Sequence, residues 1–250
     1  MTDIFDNRTY RVGIPDGELL SSTVTVKETN LFIRTNTPHT RPVFDSIITA
    51  RHSLENYIDS NAQFAAALTP MPDDPHAPFF IRRMISAARA CNVGPMAAVA
   101  GALAEIAARS LVESGPEDER ATETIVENGG DIYVISSVSR IVSLEWPVND
   151  TETGRVGIEI PPSPDGIGIA SSSGTFGHSM SLGMCDLATV VAEDGPLSDA
   201  AATALGNGVK GPEDIDRVME EIFMISGIIG LFVVVGGKIG IRGDIHLAAV

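Results

Sequence analysis

The chain has few basic residues for its size. Its 250 residues include 17 Lys and Arg against 33 Asp and Glu, which gives a formal net charge of -16 at pH 7. Nucleic acids and anionic membranes are bound through basic surfaces that neutralise phosphates, so neither is expected as a partner. An acidic surface is also an ordinary means of keeping a protein soluble.

Cysteine is scarce, and a leader segment is not evident. Cys91 and Cys185 are the only two cysteines, and without close spacing they indicate neither a disulfide framework nor a zinc site, so we expect buried free thiols. The first residues lack a basic region followed by an apolar run, which predicts residence in the cytoplasm. The apolar stretch 222–237 is shorter than the roughly twenty residues that span a membrane, so no transmembrane helix is expected there.

Apolar residues nevertheless make up 44% of the chain. That is enough for a sizeable core, in a single domain or in two intimately packed halves with a boundary near 114–155. Alternating apolar positions predict antiparallel hairpins at 22–34, with its turn at Thr29 and Asn30, and at 230–241, with its turn at Gly236 and Gly237. Amphipathic helices are predicted over 42–58, 79–90, 96–111 and 212–227. Hairpins interspersed with long helices favour an α+β fold in which antiparallel β-sheets are backed by α-helices.

The first predicted helix has a marked apolar face. Its spacing directs six side chains inward, namely Val43, Phe44, Ile47, Ile48, Leu54 and Tyr57. Two charged segments, 114–123 and 147–155, are predicted to be connectors between elements. The chain shows no internal sequence repeat.

The segment 198–205 carries two hard oxygen ligands among small apolar residues. Asp199 and Thr203 are four residues apart, so on a helix they lie one turn apart on the same face. A carboxylate and a hydroxyl near a helix start suit Mg²⁺ with a phosphate beside it. The alternative is that Asp199 only favours the positive helix end and that Thr203 bonds back to its own backbone.

A second polar segment joins a double glycine to a strand. Asn128, Gly129, Gly130 and Asp131 lead into an alternating apolar run. The glycines would let a ligand approach the backbone closely, while Asn128 and Asp131 would offer an amide and a carboxylate to a heterocycle or a ribose. The alternative is an ordinary hairpin turn, for which Asn-Gly is a strong signal.

A third segment, 166–192, is rich in glycine and serine. Ser172, Ser173 and Gly174 belong to a small polar loop that can offer hydroxyl groups to a ligand. His178 follows, and a histidine there can hydrogen-bond a phosphate or transfer a proton, which makes it the candidate catalytic residue. The alternative for His178 is a loop histidine that satisfies backbone carbonyl groups.

In their order and spacing these segments resemble the flavin transferase family called ApbE-like. The matching segments are Asn128 to Ile132, Ser173-Gly174, Ala188 to Ala192 and Ser198 to Leu205. The resemblance covers about residues 94–205 and implies a short, divergent member with a duplicated sheet-and-helix, T-fold-like architecture. Members of that family use FAD and Mg²⁺ to attach FMN to a protein threonine, and some hydrolyse FAD to FMN and AMP.

The resemblance also implies roles for individual residues. It places Mg²⁺ on Asp199 and Thr203, with the backbone carbonyl of Ala100 as a further ligand, and a flavin nucleotide beside the two polar loops. Two family features are missing: a lysine near Gly101, and a His-x-x-Asp-Pro-x-Thr-Gly segment, which residues 177–183 replace.

The predicted function is therefore Mg²⁺-dependent binding of FAD, with FMN transfer to a protein or hydrolysis of the FAD diphosphate as the reaction. The alternatives are a non-catalytic relative that binds a nucleotide or another small anion, and an enzyme that acts on a different substrate on the same scaffold. Because the chain is acidic, a diphosphate would need Mg²⁺ and backbone amides beside it. A homodimer is also expected, since a terminal hairpin can pair through its sheet edge.

Overall fold

The structure is a computed structural model that describes residues 19–149, 151–173 and 185–250. It has three layers. An eight-stranded antiparallel sheet lies between a layer of helices and a small three-stranded sheet. Gly174 and His178, two of the predicted site residues, lie outside the described residues.

The elements have the following bounds. The large sheet contains β1 (Leu20–Val26), β2 (Thr29–Thr35), β3 (Thr124–Asn128), β4 (Asp131–Ser136), β7 (Ser163–Ser172), β8 (Leu187–Ala192), β9 (Ile228–Val235) and β10 (Lys238–Gly243), in that spatial order. The small sheet contains β5 (Arg140–Pro147), β6 (Thr153–Ile160) and β11 (His246–Ala248), with β6 in the middle. The helices are α1 (Arg41–Ser60), α2 (Gln63–Ala66), α3 (Phe79–Ala90), α4 (Val99–Glu113), α5 (Gly195–Gly208) and α6 (Ile215–Phe223).

The order of elements repeats across the large sheet. In one half, the helices α1 to α4 come between β2 and β3; in the other, α5 and α6 come between β8 and β9. The halves meet where β4 pairs with β7, and β5 and β6 are inserted at that point. This arrangement confirms the α+β prediction and the duplicated sheet-and-helix architecture that the resemblance implied. The division into domains stays a prediction.

Antiparallel hairpins form at both ends of the sheet, as predicted, but the first turns at Lys27 and Glu28, two residues before the predicted Thr29 and Asn30. β1 pairs with β2 and β9 with β10, each in antiparallel register. Gly236 and Gly237 connect β9 to β10 with φ angles of 55° and 74°. A two-residue hairpin turn of this kind requires positive φ at both positions, which glycine adopts without strain.

The core is divided by the large sheet. On one side, α4 and α5 pack against it through alanines, and on the other Val134, Ile158 and Phe232 fill the space beneath the small sheet. Within the described ranges, a single helical stretch, Pro95–Glu113, has the length and apolarity to cross a membrane. Most of it is buried, as is typical of a core helix in a globular protein.

The apolar face predicted for α1 is wider than the face that is buried in the structure. Phe44 and Ile48 are 38% and 42% exposed, whereas Val43, Ile47 and Leu54 are buried. The reason is that α1 is covered along a single stripe, which leaves the flanking apolar positions open to solvent.

Three predicted boundaries also differ from the structure. Strands β5 and β6 extend into the segment 147–155, since β5 continues to Pro147 and β6 begins at Thr153. The helix predicted over 96–111 begins as a 3₁₀ turn at Pro95–Ala98 and is α-helical only from Val99. The helix predicted over 212–227 likewise begins with a 3₁₀ turn and ends at Phe223.

Candidate functional site

Helices α4 and α5 cross at a pair of glycines. A Cβ atom at Gly101 would lie 2.1 Å from the carbonyl oxygen of Gly195, and a Cβ atom at Gly195 would lie 2.3 Å from the carbonyl oxygen of Gly101. No side chain fits at either position. The two backbones therefore come close enough for the polar groups of one helix to contact those of the other.

Asp199 lies at this crossing. It is 9% exposed, and its Oδ2 accepts a hydrogen bond of 2.9 Å from the backbone N–H of Gly101. Helix α5 begins at Gly195, and its N-cap is Asp194, whose side chain accepts a hydrogen bond from the Leu197 N–H. The alternative for Asp199 was that it only favours the positive helix end. Asp194 is the residue at that end, whereas Asp199 lies beyond the first turn of α5 and contacts α4.

Thr203 lies one turn further along α5 and is half-buried. The predicted alternative was a hydrogen bond back to its own helix. Among the described residues its hydroxyl makes no hydrogen bond, to the helix or to any other element. Its oxygen is thus free to contact a ligand.

The β3–β4 hairpin presents two polar side chains to the same place. Asn128 and Asp131 are register partners, and Gly129 and Gly130 form the turn between them with φ angles of 68° and 108°. The hairpin-turn interpretation is therefore confirmed for the backbone. Asn128 also contacts α4, since its Nδ2 donates a hydrogen bond of 3.0 Å to the carbonyl oxygen of Ala100.

Asp131 and Asp199 form a buried pair of carboxyl groups. Burial, and next the charge of Asp199, raise the pKa of Asp131 well above its ordinary value, although the Ser171 N–H opposes this. Burial also raises the pKa of Asp199 to about 7, against the opposing N–H groups of Gly101 and Ala100. Neither carboxyl group forms a salt bridge with a described residue. Such a pair favours a proton or a divalent cation between its members.

The oxygen atoms gathered here suit Mg²⁺. They comprise two carboxylates (Asp131 and Asp199), the Thr203 hydroxyl and the Ala100 carbonyl, all of them hard ligands of the kind that Mg²⁺ prefers. Within 19–149, 151–173 and 185–250, no three His, Cys, Asp or Glu side chains cluster. A magnesium ion at this place would therefore keep water or ligand phosphate oxygens in its remaining positions, as Mg²⁺ commonly does. The residues present fit the ion.

The serines at the end of β7 differ in what they contact. Ser172 is buried and faces α5, where its Oγ would lie 3.2 Å from a Cβ atom at Gly206. The Ser173 hydroxyl instead donates a hydrogen bond of 2.9 Å to the carbonyl oxygen of Asp186. The structure thus brings Ser172 to the face of the sheet that carries the carboxyl pair. The roles predicted for Gly174 and His178 stay predictions.

Glu105, a residue of α4 that is 1% exposed, was not among the predicted site residues. It accepts hydrogen bonds of 2.8 to 2.9 Å from Arg83 and Arg109, and one of 3.0 Å from the Gly195 N–H. Burial alone would raise its pKa, but the two arginines outweigh burial and hold the pKa below its ordinary value. A signal was present, because Gly-x-Leu-x-acid occurs at both 101–105 and 195–199.

Comparison with known proteins gives a family and a fold. The family model described as AbpE bacteria matches residues 11–226. A UPF0280 protein from Methanococcus vannielii is 36% identical over 231 residues, which cover 89% of this chain and 91% of that one. A UPF0280 protein from Methanocaldococcus jannaschii is 36% identical over 228 residues, 89% of this chain and 90% of its own.

Solved structures extend the comparison. The apo form of flavinyl transferase ApbE from Pseudomonas stutzeri superposes with a TM-score of 0.51 at 14% identity, over 90% of this chain and 93% of that one. The ApbE protein from Thermotoga maritima gives a TM-score of 0.54 at 13% identity, over 90% and 97%. At these identities the likeness establishes the fold alone.

Proposed function

The chain belongs to the AbpE bacteria family, and from that premise we propose that it binds a flavin nucleotide, FAD, together with Mg²⁺ at the crossing of α4 and α5. One observation carries the proposal: Asp131 and Asp199 are both buried, the charge of Asp199 raises the pKa of Asp131, and no described residue supplies a cation to either. The names of the structural neighbours, which are flavin transferases, support the choice of nucleotide.

The proposed magnesium ligands are the carboxylate of Asp199, the hydroxyl of Thr203 and the carbonyl of Ala100, with Asp131 as a second carboxylate. The ion would neutralise the diphosphate and act on it as a Lewis acid. The backbone N–H of Gly101 orients the Asp199 carboxylate. The Asn128 amide donates a hydrogen bond to the Ala100 carbonyl oxygen and so ties the β3–β4 hairpin to this part of α4.

The nucleotide subsite is proposed to lie beside the β3–β4 turn. Among the described residues, a Cβ atom at Gly129 would have no neighbour within 4 Å, and one at Gly130 would have only the Ser171 carbonyl oxygen at 3.8 Å. This open space would allow a ligand to approach the backbone, with Asn128 and Asp131 as polar contacts. On the side of the nucleotide opposite the β3–β4 turn, the proposed contacts are Ser172, Ser173 and Gly174. His178 is proposed to transfer a proton or to contact a phosphate.

The proposed reaction breaks the FAD diphosphate, so that the FMN half passes to a protein hydroxyl or to water and AMP leaves. The alternative is a non-catalytic relative that binds a nucleotide or another small anion. It is favoured by the missing lysine near Gly101 and by the commitment of Arg83 and Arg109 to Glu105. The predictions of a homodimer and of cytoplasmic residence stay predictions.

The test is to incubate the protein with FAD and Mg²⁺, with and without chelator, while fluorescence reports binding and chromatography reports FMN and AMP. Asp199→Asn is the site variant. Asp74→Asn is its matched control, because Asp74 also accepts a backbone N–H at 2.9 Å but lies in the loop before α3. Chelator-sensitive release that Asp199→Asn alone abolishes supports the enzyme. Binding without release supports the alternative, and the absence of both overturns the proposal.

A further inference from the structure

Helices α4 and α5 exchange hydrogen bonds in a reciprocal pattern. The Gly101 N–H on α4 donates to Asp199 on α5 at 2.9 Å, and the Gly195 N–H on α5 donates to Glu105 on α4 at 3.0 Å. On each helix the donor glycine precedes the acceptor by four residues. If one helix slid along the other, both hydrogen bonds would break together, so the two bonds fix one helix against the other.

The two acceptors differ in their counter-ions. Arg83 on α3 approaches Glu105 with both terminal nitrogens, at 2.9 and 2.8 Å, and Arg109 approaches it with Nε at 2.8 Å. Glu105 is thus a neutralised and rigidly held acceptor. Asp199 has no such cation among the described residues. The bond from Gly195 therefore ties the start of α5 to a fixed point.

The same cluster also reaches the strand that carries Asp131. Nη2 of Arg109 donates a hydrogen bond of 2.8 Å to the buried hydroxyl of Tyr133 on β4. Tyr133 and Asp131 are two residues apart on a strand, so their side chains lie on the same face of the sheet. Glu105 and Arg109 together link the helix that carries Asp199 to the strand that carries Asp131.

We propose that Glu105 is a positioning residue for the carboxyl pair, acting through the first residue of α5. Gly195 is the first residue of α5. Its hydrogen bond to Glu105 therefore fixes the position along the helix axis of Asp199, one turn later, and of Thr203, two turns later. Residues that orient metal ligands without touching the metal typically alter metal affinity by about 10- to 100-fold. The expected change in Mg²⁺ affinity rests on the proposed function, whereas the hydrogen bonds between α4 and α5 do not depend on it.

The test compares Glu105→Asp with Glu221→Asp. The first variant keeps its charge but shortens the side chain by one methylene, so it cannot hold both arginines and reach Gly195. The second shortens a glutamate that also pairs with an arginine four positions away, Arg217, on the exposed face of α6. Calorimetric titration with Mg²⁺ alone gives the dissociation constant of the folded protein. Hydrogen exchange of the peptide containing Gly101 reports the reciprocal bond on the other helix.

We expect Mg²⁺ to bind at least about tenfold more weakly to Glu105→Asp and the Gly101 amide to exchange faster, with Glu221→Asp unchanged in both. A Glu105→Asp protein that melts earlier but keeps wild-type Mg²⁺ affinity and Gly101 protection would overturn the proposal, since its role would then be structural only. If the wild type itself binds no Mg²⁺, the proposed function fails, and the exchange of Gly101 alone decides the positioning role. If Glu105→Asp does not fold, Arg109→Lys, which loses the Nε bond, replaces it with the same two readouts.

Discussion

Asp199→Asn should make the metal-free protein more stable while it abolishes Mg²⁺ binding. The substitution keeps the size of the side chain and an oxygen that can accept the Gly101 N–H, and it removes a charge that is buried without a cation. Function and stability would then be opposed at this one residue, as is common for binding sites that hold uncompensated charge.

The expected gain in stability follows from the raised pKa of Asp199, which burial moves from 3.8 to about 7. Between these values the folded state holds the proton and the unfolded state releases it, so stability falls as the pH rises from about 4 to about 7. Three pKa units at about 1.4 kcal/mol each give a cost of up to about 4 kcal/mol at pH 8. Relaxation around the carboxylate reduces this, and we expect Asp199→Asn to gain about 1 to 3 kcal/mol at that pH.

Thermal unfolding in chelator is the assay. At about 2 to 4 °C per kcal/mol for a chain of this length, the variant should melt about 2 to 12 °C above the wild type at pH 8. The difference should shrink to less than half at pH 5, where the folded wild type already holds the proton. Asp74→Asn should show no such gain, because Asp74 is stabilised by its partners and its pKa is lowered, first by the Tyr57 hydroxyl. An Asp199→Asn protein that melts below the wild type at pH 8 would refute the reasoning, because it would mean that the carboxylate is already compensated.

Three further predictions concern the same crossing. Gly101→Ala should destabilise the protein by about 1 to 3 kcal/mol in urea unfolding, because its Cβ would lie 2.1 Å from the Gly195 carbonyl oxygen and would push the helices apart. A stability equal to that of the wild type would contradict the close approach of α4 and α5. Thr203→Val keeps the shape of the side chain and should leave the melting temperature in chelator within about 2 °C of the wild type, since the hydroxyl makes no hydrogen bond with a described residue. The same variant should bind Mg²⁺ more weakly in calorimetry, and unchanged affinity would remove Thr203 from the proposed ligands. Saturating Mg²⁺ should raise the melting temperature of the wild type and not of Asp199→Asn, with about 2.7 kcal/mol of added stability at one hundred times the dissociation constant; an equal rise in both proteins would place the ion elsewhere.

The parts of the fold that could be predicted are those with local signals. The alternating runs and the Gly236-Gly237 turn define the last hairpin, and the bounds predicted for α3, Phe79–Ala90, agree with the structure because both the start and the end of its apolar periodicity are sharp. Phe44 and Ile48 were misplaced for the opposite reason. Periodicity gives the direction of an apolar face, whereas its covered width depends on the neighbouring elements, which sequence does not provide.

The candidate site divides in the same way. Asp199 and Thr203 could be singled out because their spacing of four residues is itself the geometry. Glu105 shares the Gly-x-Leu-x-acid pattern with Asp199, but its partner Gly195 is 90 residues away, so the pattern does not show which group Glu105 contacts. The same holds for the bond from Asn128 to Ala100, 28 residues apart, which was visible only once the hairpin and the helix had been placed together.

The contrast between the two carboxylates at the crossing is the strongest argument that one of them binds a ligand. Glu105 and Asp199 each accept a glycine N–H from the facing helix, and both are buried. A fold that needed these groups only to join two helices would compensate both charges, as it does for Glu105 with Arg83 and Arg109. Asp199 instead lies near another acid, Asp131, and the charge of Asp199 raises the pKa of that second buried carboxyl group. A cation bound from solution would remove the cost of ionising this pair. Among the described residues Glu105 has counter-ions and Asp199 has none, and a site completed by its ligand explains both observations together.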